Sequence, residues 1–162
     1  MAPDLTGRSV DSATVRISEV MTHQVVTAPP DATLAEVGGL MRDRNVGSVV
    51  IADAGRPVAM ITDRDVALAV AGDGVPTDAA VGGHASRPLV CGEREMDVEE
   101  AAAVMVQNRI RRLPIMDGGD LAGIVTLDDL AIKVGDLHLA QQMTAEVARA
   151  ALPEFFFHQR GG

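Results

Sequence analysis

The 162-residue chain contains no tryptophan and no tyrosine, and its three phenylalanines stand together at Phe155, Phe156 and Phe157. A core built from it draws on Ala, Val, Leu, Ile and Met, and the aromatic platforms on which single-stranded nucleic acid stacks are missing. Positive charge is scarce as well. Fourteen Lys and Arg against 23 Asp and Glu leave a formal charge of -9, a field that repels nucleic acid and anionic lipid, so neither is expected as a partner. A lone Cys91 excludes a disulfide within the chain and is expected to be a small buried hydrophobe in a strand. His23, His84, His138 and His158 share no metal-ligand spacing with one another or with Cys91, so no metal site is expected. No apolar run approaches the roughly 18 residues of a membrane span, and the opening MAPDLTGR has neither the basic start nor the apolar core of a secretion signal. A cytoplasmic protein is the expectation. What is present, 47% hydrophobic and 23% charged residues, suffices for one globular domain or two small fused units.

The organising feature is an internal repeat. A displacement of 64 residues, without a gap, brings Val26 onto Val90, Met41 onto Met105, Asp53 onto Asp117, Gly55 onto Gly119, Thr62 onto Thr126 and Asp65 onto Asp129. Apolar classes keep the same register, with Val49 on Leu113, Ile51 on Ile115, Met60 on Ile124 and Ile61 on Val125. Two copies of one supersecondary unit account for this.

Each copy opens with a short apolar run, Val25 to Thr27 or Leu89 to Cys91, that predicts a brief strand. Thr33 with Glu36, and Asp97 with Glu100, then have the spacing of a capping box, so a helix begins at each. Leu34, Val37, Leu40 and Met41, and in the second copy Val98, Ala101, Ala102 and Met105, recur at three and four residues and form one buried stripe. Two β-rich runs follow, separated by Asp53-Ala54-Gly55 or by Asp117-Gly118-Gly119-Asp120 and leading into second helices from Asp63 and Leu127. The unit reads β-α-β-β-α. Residues 1–14 read as a flexible arm, 15–71 as the first repeat, 72–80 as a Gly, Pro and Asp-rich linker and 81–135 as the second repeat. Residues 136–162 read as a helix, with an apolar stripe of Leu139, Met143 and Val147, and a tail holding the Phe triplet.

NVGSVVIADAGRPVAMITDRDV, from Asn45 to Val66, and RIRRLPIMDGGDLAGIVTLDDL, from Arg109 to Leu130, resemble the tandem cystathionine-β-synthase-type (CBS) domains, here as a stand-alone Bateman module spanning about residues 17–134. The resemblance implies an α+β fold in which two β-α-β-β-α repeats pack about a pseudo-twofold axis. It also implies a non-catalytic regulatory module for an adenosine-containing ligand. AMP, ADP, ATP or S-adenosylmethionine would be that ligand, with Mg²⁺ as a bridge to polyphosphate and no cofactor required.

Thr62 with Asp65, and Thr126 with Asp129, share a TxxD spacing at a strand-to-helix junction. There an Asp in the first turn can accept two bonds from a ribose diol, the Thr offers a hydroxyl, and the free N–H groups of the helix start favour phosphate. The same spacing is equally that of a helix cap. By the resemblance, the strand-opening residues of one repeat approach the cleft of the other. Arg111 and Arg112, joined by Arg64, would face the ligand at Thr62 and Asp65, while Gly47 and Ser48 would face Thr126 and Asp129 beside the like-charged Asp128. The Thr62 cleft is therefore expected to be the principal site. Val25 and Thr27, from the first strand, complete the ligand set together with Gly123. Gly123 would let a base lie against the backbone, where the first copy has Ala59. No Ser/His/Asp set, HExxH or phosphate-loop motif competes, so no enzyme is expected. Small residues at Gly38-Gly39 and Ala101-Ala102-Ala103 suggest a homodimer through the long helices, acting on an unidentified regulated protein. The alternative is a ligand-free, stress-associated dimeric scaffold or interaction protein, in which both TxxD pairs are caps only.

Overall fold

The computed structural model describes residues 15–133 together with Gln141 and Ala145. The arm at 1–14 and the Phe155–Phe157 tail lie outside the described residues, as does most of the expected C-terminal helix. A short helix α1 (Ile17–Val20) precedes the first sheet, formed by β1 (Thr27–Ala28), β2 (Ser48–Asp53) and β3 (Arg56–Thr62) with helix α2 (Leu34–Arg44) between β1 and β2. Helix α3 (Asp63–Ala67) follows and widens into a π-turn over Leu68–Gly72. After a 3₁₀ turn at Val81–Gly83 the pattern recurs as β4 (Gly92–Glu93), α4 (Val98–Asn108), β5 (Arg112–Asp117), β6 (Asp120–Thr126) and α5 (Leu127–Lys133). The architecture is α+β, two three-stranded sheets in the orders β1-β2-β3 and β4-β5-β6 with their helices. In each sheet the first pair is parallel and the second antiparallel.

The displacement of 64 residues holds down to the hydrogen-bond register. Ser48 faces Thr62 as Arg112 faces Thr126, Ile51 faces Ala59 as Ile115 faces Gly123, and both hairpins slip register at one equivalent point, after Ile51 and after Ile115. The two turn residues of each hairpin, Ala54-Gly55 and Gly118-Gly119, all have positive φ, the condition for a tight turn that matches strand twist. Both capping boxes form. Glu36 N–H donates to Thr33 Oγ1 at 3.1 Å while Thr33 N–H donates to the Glu36 carboxylate at 2.7 Å, and Asp97 with Glu100 reciprocate at 2.8 and 3.0 Å. The Thr33 backbone bond holds the Glu36 carboxyl below its ordinary pKa.

One expectation needs correction. The opening strands lie later than Val25–Thr27 and Leu89–Cys91, because each parallel ladder is only two residues long and sits where the chain meets the middle of β2 or β5. Gly92 fixes the second ladder, since a Cβ there would stand 2.9 Å from Leu113 and 3.0 Å from Ile115. The second half of the stretch expected as a linker, 72–80, is bonded to the first repeat. Leu34 N–H donates to Ala79 O and Ala35 N–H to Thr77 O, while Val81 N–H donates to Ala32 O and Ser86 N–H to Met60 O. Residues 77–86 are thus built onto the first repeat, at the start of α2 and, through Ser86, at the β3 edge. Reciprocally, Ile17 N–H donates to Met96 O, Val98 N–H to Val15 O, and Thr22 and Ile124 exchange both backbone bonds at 2.8 and 2.9 Å. Each repeat's opening segment lies on the other repeat, like crossed straps.

The physical reason is the sheet edge. Three-stranded sheets leave β3 and β6 with unpaired N–H and C=O groups, and a strap bonded at Met60 or Ile124 covers them. The straps also fill the cores. Ile17, Val20 and Met21 are buried with Val98, Met105, Leu113, Ile115 and Val125, and Val81 is buried with Leu34, Val37, Ile51 and Ile61. Ala101 and Ala102 belong to the first of these clusters, so these two small residues pack within the chain, and only Ala103 of that triplet is exposed. At Gly38 and Gly39, by contrast, an added Cβ would meet nothing within 4 Å.

Candidate functional site

Both TxxD pairs close as capping boxes. Thr62 donates its N–H (2.8 Å) and its Oγ1 hydroxyl (2.7 Å) to Asp65 Oδ2 and accepts the Asp65 N–H on Oγ1 at 3.2 Å. Thr126 and Asp129 repeat this at 2.8, 2.9 and 3.2 Å. Each pair is half-buried, and each junction is fastened further by a backbone bond, Asp63 N–H to Gly47 O and Leu127 N–H to Arg111 O. The cap shapes a rigid corner at which the carboxylate is already oriented.

A cavity of about 270 Å³ opens beside the second corner, and both repeats build it. Thr22, Gln24, Val25 and Val26 come from the strap and the approach to β1, Asn45, Val46, Gly47 and Ser48 from the end of α2 and the start of β2, and Arg112, Ile124, Thr126 and Asp128 from the second repeat. The apolar side chains, Val25, Val26, Val46, Val50 and Ile124, supply a surface for a flat ring, and Thr126 and Asp128 stand at the junction of β6 and α5. Arg112 is the one cation among the lining residues and Asp128 the one carboxylate. A smaller depression of about 90 Å³ adjoins it beneath Arg111, Arg112, Thr126, Leu127 and Asp128.

The candidate residues are thereby divided. Val25, Arg112 and Thr126 meet in the main cavity, Arg111 joins them in the adjoining depression, and Asp129 caps Thr126. Thr27 lines a separate groove of about 570 Å³ along the outer side of α2, with Asp31, Glu36, Leu40 and Asp43. Thr62, Arg64 and Asp65 lie outside all three of these cavities. Gly47 and Ser48 do face the Thr126 corner, as the resemblance implied, but Arg112 stands there with them. Gly123 is buried, and its missing Cβ leaves room for the strap, since an added carbon would stand 2.7 Å from Met21 Sδ and 2.9 Å from Thr22 O.

Thr22, Gln24 and Asn45 had no signal of their own as site residues. Asn45 ends α2 in the left-handed region, a place Asn favours, and the strap that carries Thr22 becomes visible only once the exchange of opening segments is known. Burial, reinforced by the Glu93 charge, pushes the Cys91 thiol above its ordinary pKa, which disfavours the reactive thiolate. Among the described residues, no group of three His, Cys, Asp or Glu side chains is placed to hold a metal ion, and no helix is long and apolar enough to cross a membrane.

Comparison with known proteins agrees with the repeat. A model described as the CBS domain matches the chain twice, over residues 17–72 and 81–136. The chain is similar to the CBS domain-containing protein YhcV of Bacillus subtilis, with 39% identity over 136 residues, which are 84% of this chain and 91% of that one. It is 39% identical over 119 residues to the uncharacterized protein MK0525 of Methanopyrus kandleri, covering 72% of this chain but only 61% of that relative's length. Among solved structures it resembles the CBS domain protein PAE2072 of Pyrobaculum aerophilum, complexed with AMP, with a TM-score of 0.69 and 26% identity, covering 83% of this chain and 99% of that one.

Proposed function

The chain belongs to the CBS-domain family, with two CBS repeats in tandem, and from that premise we propose that it is a regulatory module whose ligand is an adenosine compound held in the Thr126 cavity. The observation that carries this reading is the cavity itself, lined by both repeats with five apolar side chains, the Thr126–Asp129 corner and a single arginine. Its volume of about 270 Å³ lies near the lower end of small-molecule sites, which run from roughly 300 to 1,000 Å³, and so suits one nucleoside with a short substituent. The structure of PAE2072 with AMP supports the same class. The reading takes this cavity at the second corner as the ligand site, where the sequence pointed first to Thr62 and Asp65.

The chain's action is regulatory in this proposal. A ligand touching strap, first repeat and second repeat at once stabilises their mutual arrangement and so reports its presence to a partner protein. Assembly as a homodimer would use the open side of α2 at Gly38 and Gly39, and light scattering at micromolar concentration would give twice the chain mass. Melting curves with adenosine, AMP, ATP and S-adenosylmethionine test the reading. A ligand at 100 times its Kd adds about 2.7 kcal/mol of stability. No shift with any of the four removes adenosine compounds as the ligand class.

A further inference from the structure

The straps cover one edge of each sheet, at β3 and β6, and leave the opposite edge to other devices. β1 is the outer strand of the first sheet, and no further strand pairs with it among the described residues. Val50 N–H donates to Val26 O at 3.0 Å and the register sets Thr27 opposite Val50, so the alternation of a parallel ladder turns the Thr27 N–H and C=O away from β2. Pro29 and Pro30 then stop the strand and keep this edge short.

Along that edge runs the groove of about 570 Å³. One wall is β1 with the turn after it, including Thr27 and Asp31; the other is α2, where Glu36, Gly39, Leu40 and Asp43 recur at three and four residues on one face. The second repeat has larger residues at two corresponding places, Ala103 for Gly39 and Met96 for Ala32, and Met96 lies over β4 with its Sδ 3.2 Å from where a Cβ of Gly92 would stand. Asp31, Glu36 and Asp43 bring three carboxylates to the groove, and no lining residue is a cation. Glu36 spends Oε2 on its cap and Asp43 spends Oδ1 on Arg42 at 2.8 Å, so each keeps a second oxygen for a donor. A second copy laid over the groove would set these carboxylates against their own kind, and Gly38, on the neighbouring side of α2, does not line it. A basic segment is drawn in instead, also by the formal charge of -9. Both walls continue into the ligand cavity, which Val25 and Val26 line directly before β1 and Asn45 and Val46 directly after α2.

We propose that this groove is the docking site for a short, extended segment of a partner protein that carries Lys or Arg. The segment pairs its backbone with Thr27 and sets its cations against Asp31 and Asp43, a strand addition limited to one residue by the two prolines. From Glu36 to Asp43 the helix rises about 10 Å, the length of roughly three extended residues. Docking here goes beyond the adenosine reading and does not depend on it, because the groove and the cavity are separate spaces.

Titration of the full chain, without nucleotide, with an acetylated and amidated Ala-Lys-Val-Arg-Val-Lys-Ala peptide tests this by calorimetry and amide NMR. Saturable binding is expected, with shifts concentrated at residues 27–32 and 36–43 and an affinity that falls as salt rises. The double variant Asp31→Asn/Asp43→Asn weakens it about three- to tenfold, the range of two exposed ion pairs. Thr27→Pro removes the outward donor, leaves the groups that pair with β2, and weakens binding as well, while both variants melt as cooperatively as the parent. The proposal is overturned by a peptide that does not bind, by shifts elsewhere, or by an affinity that both variants leave unchanged. Spermidine bound as tightly at the same residues makes the groove a polyamine site, and a dimer mass halved by Thr27→Pro makes a second copy its occupant; either result overturns it too. A failed peptide titration leaves the adenosine reading standing, and melts unmoved by any nucleotide leave this groove standing.

Discussion

The second repeat sets a glycine, Gly123, beneath a methionine, Met21, whereas the first has alanines at both corresponding positions, Ala59 and Ala85. The pairs exchange volume across one contact, a large strap residue over no side chain against a small residue over a small one. Both solutions keep the strand pairing intact, Ile115 opposite Gly123 and Ile51 opposite Ala59. The strap nevertheless binds the second repeat more closely, with Thr22 and Ile124 bonded at 2.8 and 2.9 Å against 2.8 and 3.4 Å for Ser86 and Met60. Identical backbones thus support different clefts. Duplication supplies the frame, and a few side chains at the strap and the strand openings make the two corners differ.

The strongest way to break this equivalence is to empty a strap anchor. Ile17 and Val81 occupy corresponding positions and are fully buried. Ile17→Ala is expected to cost about 2–4 kcal/mol and Val81→Ala somewhat less, since fewer methyl groups are removed. Denaturant melts compare the two, and an Ile17→Ala loss below that of Val81→Ala contradicts the closer grip on the second repeat. Next, Gly123→Ala drives a methyl group against Met21 and the Thr22 carbonyl, an overpacking expected to cost about 1–3 kcal/mol. Combined with Met21→Ala it recreates the first repeat's pairing, so the double variant loses less than the sum of the singles.

A smaller effect separates the hairpin turns. Ala54 has φ 47 where the second repeat has Gly118 at φ 59. Left-handed backbone costs a residue with a Cβ about 1–2 kcal/mol, partly offset by the greater freedom of glycine in the unfolded chain. Ala54→Gly should raise stability by about 0.5–1 kcal/mol and Gly118→Ala should lower it by a similar amount, as thermal melts will show. The smallest expected effect is Glu36, whose carboxyl is held below its ordinary pKa by the Thr33 backbone bond. A depressed folded-state pKa adds stability above the unfolded value of about 4.3, and that contribution is lost as the pH falls through the folded value. Carboxyl NMR titration should find Glu36 below that value, and Glu36→Gln should shrink the acid-side slope of stability.

The repeat, the paired hairpins and the capping boxes were legible because each is a local pattern. Thr33 with Glu36 and Thr62 with Asp65 are neighbours along one helix turn, and the turn at Gly118-Gly119 needs only its own two residues. The site was legible only in part. Thr126, Arg112 and Val25 were candidates, but their meeting depends on contacts between segments about 100 residues apart, for which periodicity carries no information. Gly47 shows the limit well. A Cβ there would stand 2.9 Å from Nη2 of Arg112, 65 residues further on, and nothing in its own neighbourhood announces that approach.

The crossed straps set the order in which a growing chain can complete itself. The first sheet lacks its edge cover until residues 77–86 have been synthesised, and the segment from Ile17 to Thr22, made earlier, has no surface to land on until Met96 and Val98 appear and no strand edge to pair with until Ile124 does. An early apolar segment therefore waits through most of synthesis for its partner, a long loop to close and a slow kind of contact to form. Neither half cut at residue 72 would be a finished folding unit, because each would carry a strap without its sheet and a sheet without its strap. Melting should accordingly be a single cooperative transition of the whole repeat pair, and the two halves, added separately, should recover structure only when mixed.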